Sequence, residues 1–524
     1  MKKVLITDPL SATGVDILKE AGLEVIELLE NDQDQLNAVL PDIHGWIIRS
    51  GTTIGADAIN KAGKLKAIGR AGVGVDNIDI AAATEQGVVV MNTPGGNTIS
   101  AAEHTVALMM SLARNIPEGD ATMKAGTWAR KALKGTELNG KTLGVIGLGR
   151  IGQEVAKRAL GLQMSVIGYD PYVSQEQLVV QDIQTVDLDE LLESADVISL
   201  HMPRNKDTID LISMSEMEKM KSSSMLINCA RGGLINETDL AQALEAGTIA
   251  GAAIDVYSSE PPEAENPLPA APNLVLTPHL GASTYEAGEN VALQIASQLR
   301  DYLLHEKLSN TINLPIADMS ILKTIEPSLE LAREIGRLQH PLHGAAIKSI
   351  RLSYNGDPEH ITPLLYCAFE GIMEHRYDSG INLINAKAVA ESKSIALSTL
   401  HDPELSHVQN VISVSVESEG DNRWELTGYT DLQGSHRLIR VNRYHVDVLL
   451  KGSLILILNE DVPGVVGVVG TLLADHKINI AEYSLTRLAD ENALSLIKCD
   501  GRPPDGVLEE LQGKSSIKAC YFLG

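Results

Sequence analysis

A glycine-rich hexapeptide carries the clearest chemical signal in the sequence. Gly147, Gly149 and Gly152 have the GxGxxG spacing, and they lie between the apolar run 143–146 and a helical pattern. In this context the first glycine permits a tight turn, the second lets the backbone approach a pyrophosphate, and the third lets helix and strand pack closely. The N–H groups at the helix start attract phosphates, and Arg150 is placed to add a positive charge.

An acidic residue at the end of the next predicted strand strengthens this interpretation. Asp170 follows the glycines by roughly 20 residues, where a carboxylate can accept hydrogen bonds from the ribose hydroxyls of a dinucleotide. Pro171 and Tyr172 come next, and neither can bind a 2′-phosphate as an Arg or Lys would. The sequence therefore predicts an NAD site, and a purely structural glycine turn is the alternative.

Polar side chains also follow the later strands of this series. Ligands of open parallel sheets bind beyond the carboxyl ends of the strands, so these residues should meet in one crevice. Arg231 suits bidentate capture of a carboxylate, and His279 suits removal of a hydroxyl proton. Glu260 can pair with the imidazole, and Asp255 can contact the nicotinamide side. Each residue alone is compatible with a structural role, but together they predict an active site.

The N-terminal part contributes two further arginines. Arg49 and Arg70 end predicted strands, and this position suits an anionic substrate facing the cofactor cleft. Solvated surface arginines are the alternative. His104 and His201 are interpreted as structural.

Two alternating series of strands and helices position these residues. Such alternation predicts an α/β fold with two doubly wound parallel-sheet domains, the second of Rossmann type with six strands. Long helices over 99–113 and 284–304 should bridge the two, which makes the first domain discontinuous. A mixed α+β segment follows, and the last part has the βαββαβ order of a ferredoxin-like domain. The expected boundaries are 1–95 with 284–315, 96–283, 316–450 and 451–524.

Composition excludes several classes of protein. The chain has 524 residues, is 44% hydrophobic and has a formal net charge of −26. An acidic surface of this kind argues against nucleic acid or an anionic membrane as the main partner. The four cysteines form no CxxC pair, so no cysteine-based metal site is expected and a reducing cytoplasm is favoured.

Longer motifs identify the family that this chain resembles. Residues 147–152, 228–233, 255–262 and 278–283 resemble the D-2-hydroxyacid dehydrogenases. Further motifs resemble the branch whose substrate is 3-phosphoglycerate, and they lie at 69–77, 91–94 and 137–142. Residues 451–524 resemble an ACT domain, and the preceding segment is similar in placement to the intervening domain of the long form of that branch.

The resemblance implies NAD-dependent oxidation of 3-phosphoglycerate to 3-phosphohydroxypyruvate, the first committed step of L-serine biosynthesis. It implies Arg231, Glu260 and His279 as catalytic residues, and Arg49 and Arg70 on the substrate side. Arg130 matches a basic residue that reaches the phosphate from a partner subunit, so a homodimer or homotetramer is expected. The implied cofactor contacts, besides the three glycines, are Arg150, Ile151, Asp170, Cys229, Ala230, Arg231, Asp255, His279, Leu280, Gly281 and Ala282.

The C-terminal domain has an expected ligand of its own. ACT domains bind small amino acids at the first strand–helix turn, which makes L-serine the expected effector, with Asp461 and Asn479 as contacts. Some serine-inhibited relatives have a histidine where this chain has Asn459, so a purely assembling role is the alternative. Two functional alternatives also stand: a dehydrogenase for another 2-hydroxyacid, such as glycerate or lactate, and an NAD-sensing protein resembling the C-terminal-binding corepressors.

Overall fold

The computed structural model describes residues 1–30, 32–316, 321–374, 376, 381–420, 422–488, 492–504 and 506–523. These residues form four β-sheets. The first is a five-stranded parallel sheet with the order β2-β1-β3-β4-β5. Its elements are β1 (Lys3–Ile6), α1 (Ala12–Glu20), β2 (Glu24–Glu27), α2 (Gln33–Val39), β3 (Gly45–Ile48), α3 (Ala56–Lys61), β4 (Ala67–Arg70), α4 (Ile80–Glu85) and β5 (Val89–Met91).

The second sheet has seven parallel strands with the order β12-β11-β10-β9-β6-β7-β8. The prediction of six strands was wrong, because it missed the short edge strand β8, in which only Ile183 is buried. The elements of this part are α5 (Thr98–Ala113), α6 (Ile116–Lys124), β6 (Thr142–Ile146), α7 (Arg150–Gly161), β7 (Ser165–Tyr169), β8 (Ile183–Thr185), α8 (Leu188–Ser194), β9 (Val197–Leu200), α9 (Met214–Met217), β10 (Met225–Asn228), α10 (Glu237–Ala246), β11 (Gly251–Ile254), β12 (Leu274–Leu276) and α11 (Tyr285–His305).

The chain returns to the first sheet through α11. This helix packs on α1 and β4, where a Cβ on Gly69 would lie only 2.7 Å from Ile295. Beyond the helix, the Asn313 side chain accepts a hydrogen bond from Val90 N at 3.0 Å and donates one to Val88 O at 2.9 Å. These contacts support our proposal that 284–315 belongs with 1–95, and that 96–283 forms the domain between them.

The C-terminal part contains a six-stranded mixed sheet and a four-stranded antiparallel sheet. Their strand orders are β14-β13-β15-β16-β17-β18 and β20-β21-β19-β22. The elements are α12 (Leu322–Gln339), β13 (Ile347–Tyr354), α13 (Ile361–Met373), α14 (Ala386–Ser392), β14 (Ala396–His401), β15 (Ile412–Ser418), β16 (Asn422–Thr430), β17 (His436–Val441), β18 (Tyr444–Leu449), β19 (Ser453–Glu460), α15 (Val465–Asp475), β20 (Ile480–Arg487), β21 (Asn492–Cys499), α16 (Val507–Gln512) and β22 (Ile517–Leu523).

These two sheets share a hydrophobic core. Leu456 and Leu496 of the four-stranded sheet pack into the same cluster as the buried residues of the six-stranded sheet. The rings of Trp424 and Tyr521 meet edge to face with centroids 5.6 Å apart. The other face of the four-stranded sheet is covered by α15 and α16. We propose a domain boundary near residue 450, between two units that bury surface against each other.

The predicted fold class is confirmed, since parallel Rossmann-like sheets are followed by mixed and antiparallel sheets. In the described ranges, the structure contains no helix that is both long and apolar enough to cross a membrane.

Candidate active site

The glycine loop has the conformation that its spacing predicts. Gly147 has φ +98°, and a Cβ there would lie 2.6 Å from His201 O. Gly152 is packed so closely that its Cβ would lie 2.0 Å from Gly147 O. Around Gly149, by contrast, no described atom lies within 4 Å of a Cβ position. The loop therefore packs tightly at its two ends and is open at its centre, where a pyrophosphate can approach the start of α7.

Asp170 lies beside this loop at the end of β7. Its Oδ2 accepts a hydrogen bond from Leu148 N at 2.9 Å, and its Oδ1 accepts one from Tyr172 N at 2.9 Å. These bonds fix the carboxylate against the loop and leave lone pairs for ribose hydroxyls. The residues present therefore fit a dinucleotide.

Arg150 lies at the start of α7 but reaches across the cleft. Its Nη1 donates to Pro94 O, 2.6 Å away on the segment that leaves the first domain. The side chain is exposed. Arg150 thus links the two sides of the cleft near the phosphate-binding loop, a contact that the sequence did not indicate.

His279 and Glu260 form a close pair in the cleft. His279 Nδ1 lies 2.6 Å from Glu260 Oε2, and Glu260 Oε1 accepts from Tyr257 N at 3.0 Å. Burial alone raises the pKa of Glu260, but the hydrogen bonds from His279 and Tyr257 outweigh it, so the net pKa is lowered and the carboxylate is charged at neutral pH. His279 Nε2 has no partner among the described residues, which leaves this nitrogen to face a substrate.

The backbone of His279 is held in a conformation that few non-glycine residues adopt. Its φ is +55°, and its N–H donates to Asp255 O at 2.8 Å. A left-handed residue costs free energy unless its surroundings hold it there, and such residues concentrate at functional sites. The turn directs the imidazole toward the cleft.

Asp255 is fully buried beneath this turn. Its Oδ1 accepts from Thr277 Oγ1 at 2.6 Å and from Leu280 N at 2.8 Å, and its Oδ2 accepts from Gly281 N at 2.9 Å. His104 Nε2 lies 3.1 Å from Oδ1. Burial raises the pKa of Asp255, but these partners together lower it. The carboxylate therefore braces the turn that carries His279, and His104 belongs to this network.

Arg231 follows β10 and meets the first domain. Its Nη1 donates to Ala230 O at 2.6 Å, and its Nε lies 3.3 Å from Asp76 Oδ2. Gly74 makes this approach possible, because a Cβ there would lie 2.3 Å from Arg231 Nη2. Asp76 was not singled out from the sequence, because it comes six residues after β4 and not directly at the end of a strand.

Arg49 and Arg70 bring two more guanidiniums to the same place. Burial, together with the positive charges of Arg231 and Arg49, lowers the pKa of Arg70 to about 10. Arg70 Nε is buried and has no hydrogen-bond partner in the described part of the chain. Within that same part, only Arg231 of the three forms an ion pair with a carboxylate. Three neighbouring cations, of which only Arg231 is paired with a carboxylate, create a positive potential that can attract an anion.

The remaining predicted cofactor contacts line the cleft without reactive chemistry of their own. Burial raises the pKa of the Cys229 thiol to about 12, so it stays protonated. Leu280 and Gly281 present their N–H groups to Asp255, and Ala230 N donates to Asn228 Oδ1 at 3.0 Å. Ile151 lies in the first turn of α7, and Ala282 follows the braced turn.

Comparisons with known proteins agree with this geometry. The family model for the NAD-binding domain of D-isomer-specific 2-hydroxyacid dehydrogenases matches residues 106–281, and that for the D-3-phosphoglycerate dehydrogenase intervening domain matches residues 324–442. The D-3-phosphoglycerate dehydrogenase of Archaeoglobus fulgidus is 42% identical over 97% of each chain. That of Bacillus subtilis is 37% identical over 100% of this chain and 99% of its own.

The chain belongs to the D-3-phosphoglycerate dehydrogenase family. A solved NAD-dependent formate dehydrogenase from Staphylococcus aureus, in complex with NAD, is also similar: its TM-score is 0.53 at 32% identity, and the match covers 60% of this chain and 99% of that one. The predicted family, the NAD cofactor and the oxidoreductase class are therefore confirmed.

Arg130 lies apart from the cleft residues of its own chain. It follows α6 in an exposed segment and, with Trp128 and Met123, lines a concave surface of about 490 Å³. Trp128 is 75% exposed and Ile116 is 54% exposed.

The two residues predicted to bind an effector are already engaged within their domain. Asp461 Oδ1 lies 3.2 Å from Arg487 Nε, and Asn479 Nδ2 donates to Asp500 Oδ2 at 2.8 Å. Asn459 is buried and accepts from Ser495 Oγ at 3.2 Å. The turn before α15 has the predicted form, with Gly464 at φ +98°.

Proposed function

We propose that the cleft catalyses the NAD-dependent oxidation of the C2 hydroxyl of 3-phosphoglycerate. Its full-length relatives are named D-3-phosphoglycerate dehydrogenases, which supports this substrate. The observation that carries this proposal is the cluster of Arg49, Arg70 and Arg231 beside the His279–Glu260 pair. A substrate with an anion at each end and a secondary alcohol between them satisfies the arginines and places its hydroxyl near the histidine.

Arg231 is the residue that we propose to bind the C1 carboxylate. Its fork suits a bidentate carboxylate, and it lies on the NAD-binding side of the cleft. Asp76 holds one edge of the guanidinium in the protein. This arrangement fixes C2 of the substrate relative to the start of the dinucleotide site.

His279 is the proposed general base. With Nδ1 held by Glu260, Nε2 faces the cleft and takes the C2 hydroxyl proton as the C2–H bond breaks and C2 becomes a carbonyl. The charged Glu260 stabilises the imidazolium that forms. NAD, when bound, supplies the hydride acceptor. The proton on His279 then passes to solvent, since the side chain is 41% exposed.

Arg49 and Arg70 are proposed to bind the phosphate end. Burial of the Arg70 cation contributes to its lowered pKa of about 10. An anionic ligand beside the guanidinium would stabilise its charged form and offset this destabilisation. Because no carboxylate pairs with either guanidinium in the described residues, their hydrogen-bond donors remain free for phosphate oxygens.

The proposed cofactor contacts divide between two sides of the dinucleotide. Gly147, Gly149, Gly152 and the start of α7 would hold the pyrophosphate, with Arg150 and Ile151 at that helix start. Asp170 would accept hydrogen bonds from the ribose hydroxyls and repel a 2′-phosphate. Cys229, Ala230, Asp255 and the stretch 279–282 would line the nicotinamide end.

A homodimer or homotetramer is the proposed assembly. The exposed side chains of Ile116, Met123 and Trp128 form an apolar surface that a second copy can cover. We propose that this contact brings Arg130 of one subunit toward the phosphate site of the other.

We propose a cytoplasmic location for the protein. The four free cysteines, three of them buried, fit this location.

We also propose that L-serine binds the C-terminal domain and lowers activity. The turn through Pro463 and Gly464 exposes N–H groups at the start of the eleven-residue helix α15, which suit a carboxylate. Asp461 would receive the ammonium group in exchange for its partner Arg487, and Asn479 would bond the ligand from the other side. Assembly without effector binding is the alternative.

The direct test is turnover of the wild-type protein with NAD and a panel of 2-hydroxyacids, followed by NADH absorbance. The proposal expects the highest kcat/KM for 3-phosphoglycerate. A higher kcat/KM for glycerate or lactate would instead support the unphosphorylated alternative, and binding of NAD without turnover of any substrate would support an NAD-sensing role.

A further inference from the structure

A buried carboxylate holds the loop that carries Arg49. This loop, residues 49–52, follows β3 and is called the Arg49 loop below. Asp8 follows the neighbouring strand β1 and is only 8% exposed. Its Oδ2 accepts hydrogen bonds from Arg49 N at 2.6 Å and from Thr52 N at 3.1 Å. One carboxylate oxygen therefore binds the backbone at both ends of the loop, with the strength of charge-assisted bonds.

Asn77 binds the complementary backbone groups of the same two residues. Its Nδ2 donates to Arg49 O at 2.7 Å and to Thr52 O at 2.5 Å. The peptide groups on both sides of the Arg49 Cα are thus hydrogen-bonded, so the point from which the guanidinium extends is fixed. A side chain whose backbone is already ordered loses less conformational entropy when it binds a ligand.

Two further hydrogen bonds connect the Arg49 loop to the core of its domain. Thr52 Oγ1 donates to Thr7 Oγ1 at 3.0 Å, and Trp46 Nε1 donates to the same oxygen at 3.0 Å. Trp46 lies in β3 and is 1% exposed. The loop is therefore held by side chains that start from β1, β3 and the turn after β4, all parts of the first sheet.

Asn77 also links the Arg49 loop to the other side of the cleft. The residue before it, Asp76, lies 3.3 Å from Arg231 Nε through its Oδ2. Two consecutive residues thus hold the two arginines to which we assign the opposite ends of the substrate. Because consecutive Cα atoms are about 3.8 Å apart, this dipeptide restricts how far Arg49 and Arg231 can move relative to each other.

The charge of Asp8 does not neutralise the guanidiniums that it supports. Burial lowers the pKa of Arg70 to about 10, and the negative charges of Asp76 and Asp8 oppose this shift. In the described ranges, however, neither Arg49 nor Arg70 forms an ion pair with Asp8, whose Oδ2 bonds backbone N–H groups instead. The carboxylate can thus hold the loop while both guanidiniums remain available to an anion.

We propose that Asp8 and Asn77 are positioning residues that fix Arg49 at the distance from Arg231 that 3-phosphoglycerate requires. They act through the backbone of the Arg49 loop and take no part in proton or hydride transfer. The inference rests on the proposed function, in which Arg49 binds the phosphate and Arg231 the carboxylate. It adds that discrimination between phosphorylated and unphosphorylated 2-hydroxyacids depends on two residues that present no positive charge.

The test is the ratio of kcat/KM for 3-phosphoglycerate to kcat/KM for D-glycerate in the full-length enzyme. Asp8→Ala removes the acceptor for two buried N–H groups and should lower this ratio by about tenfold or more, mainly by raising KM for 3-phosphoglycerate. Asp8→Asn keeps an acceptor oxygen of the same shape without the charge, so its ratio should stay within about threefold of wild type. Asp16→Ala is the control, an exposed aspartate of α1.

Asn77→Asp tests the other side of the loop with an isosteric change. It places a carboxylate oxygen opposite the carbonyls of Arg49 and Thr52, so the loop should open and the ratio should again fall by about tenfold or more. Wild-type ratios in both Asp8→Ala and Asn77→Asp would overturn the positioning role. An equal loss in Asp8→Asn and Asp8→Ala would also overturn it, because the charge rather than the hydrogen bonds would then matter.

Arg49→Gln separates this inference from the proposed function. If Arg49→Gln lowers the ratio but Asp8→Ala and Asn77→Asp do not, the phosphate role of Arg49 stands and the positioning role fails. If Arg49→Gln itself leaves the ratio unchanged, the phosphate role fails and the positioning role fails with it.

Discussion

The cleft and the turn before α15 both contain charged residues that sequence reasoning assigned to ligands, but their electrostatics differ. In the cleft, Arg49 and Arg70 stand near Arg231 and form no ion pair in the described chain. Burial, together with the positive charges of Arg231 and Arg49, lowers the pKa of Arg70 to about 10. In the turn, Asp461 is paired with Arg487 and Asn479 with Asp500. Unpaired like charges held close together destabilise the ligand-free protein, whereas charges paired within their own domain need no ligand to balance them. We therefore expect substitutions in the cleft to have large effects, and substitutions in the turn to have small ones.

The largest effect should follow loss of the proposed base. His279→Ala should lower kcat by ~10²–10⁴-fold, the range for a general acid–base group, while NAD affinity is kept. Steady-state kinetics and NAD titration measure the two quantities. His407→Ala, an exposed histidine of the intervening segment, is the control. Near-normal turnover in His279→Ala would show that another group takes the proton.

Arg70 is expected to lower the stability of the ligand-free protein, although its charge serves substrate binding. Burial of its cation, with the charges of Arg231 and Arg49 beside it, places its pKa in the folded state below that in the unfolded chain. A base with a lowered folded-state pKa costs stability at every pH below that value, and the cost fades as pH rises from about 10 to the unfolded pKa. Arg70→Gln should therefore stabilise the ligand-free protein by ~1–3 kcal/mol near neutral pH.

Chemical denaturation of wild type, Arg70→Gln and the control Lys66→Gln, an exposed lysine just before β4, measures this effect. The same variant should gain less stability from added phosphate than wild type does. A destabilised Arg70→Gln protein would mean that the guanidinium holds the fold together instead of waiting for an anion.

Asp170 should decide between the two nicotinamide cofactors. Asp170→Ala removes the acceptor for the ribose hydroxyls and the charge that repels a 2′-phosphate, so NAD use should fall by about tenfold and the preference over NADP should shrink. Values of kcat/KM with each cofactor measure this change, and Asp182→Ala is a nearby exposed control. A wild-type enzyme that prefers NADP under matched conditions would contradict the role given to Asp170.

The smallest effect is expected at the turn. Asp461→Ala should weaken serine inhibition only a few fold, because Asp461 must leave Arg487 before it can bind an ammonium group. Inhibition curves at millimolar serine compare this variant with wild type. If serine neither releases heat nor changes the rate in either protein, only the assembling role of the domain remains.

Sequence patterns predicted most strands of the two parallel sheets because many of them are short, buried, mainly apolar runs, such as β3 and β10. They missed β8, whose three residues bury one side chain. The catalytic residues could be predicted from the sequence because strand ends converge in this fold. The contacts of Asp76 and His104 could not be predicted, since each depends on how a loop or helix of one part of the chain meets the cleft.

The C-terminal part shows the same limit more strongly. Alternation predicted its strands, but Arg351, Arg423 and Arg440 come from β13, β16 and β17, and only the register between these strands brings them to one face of the sheet. No spacing in the sequence reports such a register. The shared core of the two C-terminal sheets is likewise a tertiary property.

The central claim is that the unpaired arginines of the cleft recognise the phosphate of the substrate. The most direct test is the ratio of kcat/KM for 3-phosphoglycerate to kcat/KM for D-glycerate, measured in wild type, Arg49→Gln and Arg70→Gln. The two substrates share the carboxylate and the C2 hydroxyl, so the ratio isolates the phosphate. We predict that each substitution lowers this ratio by about tenfold or more. An unchanged ratio, with both substrates impaired equally, would contradict the account.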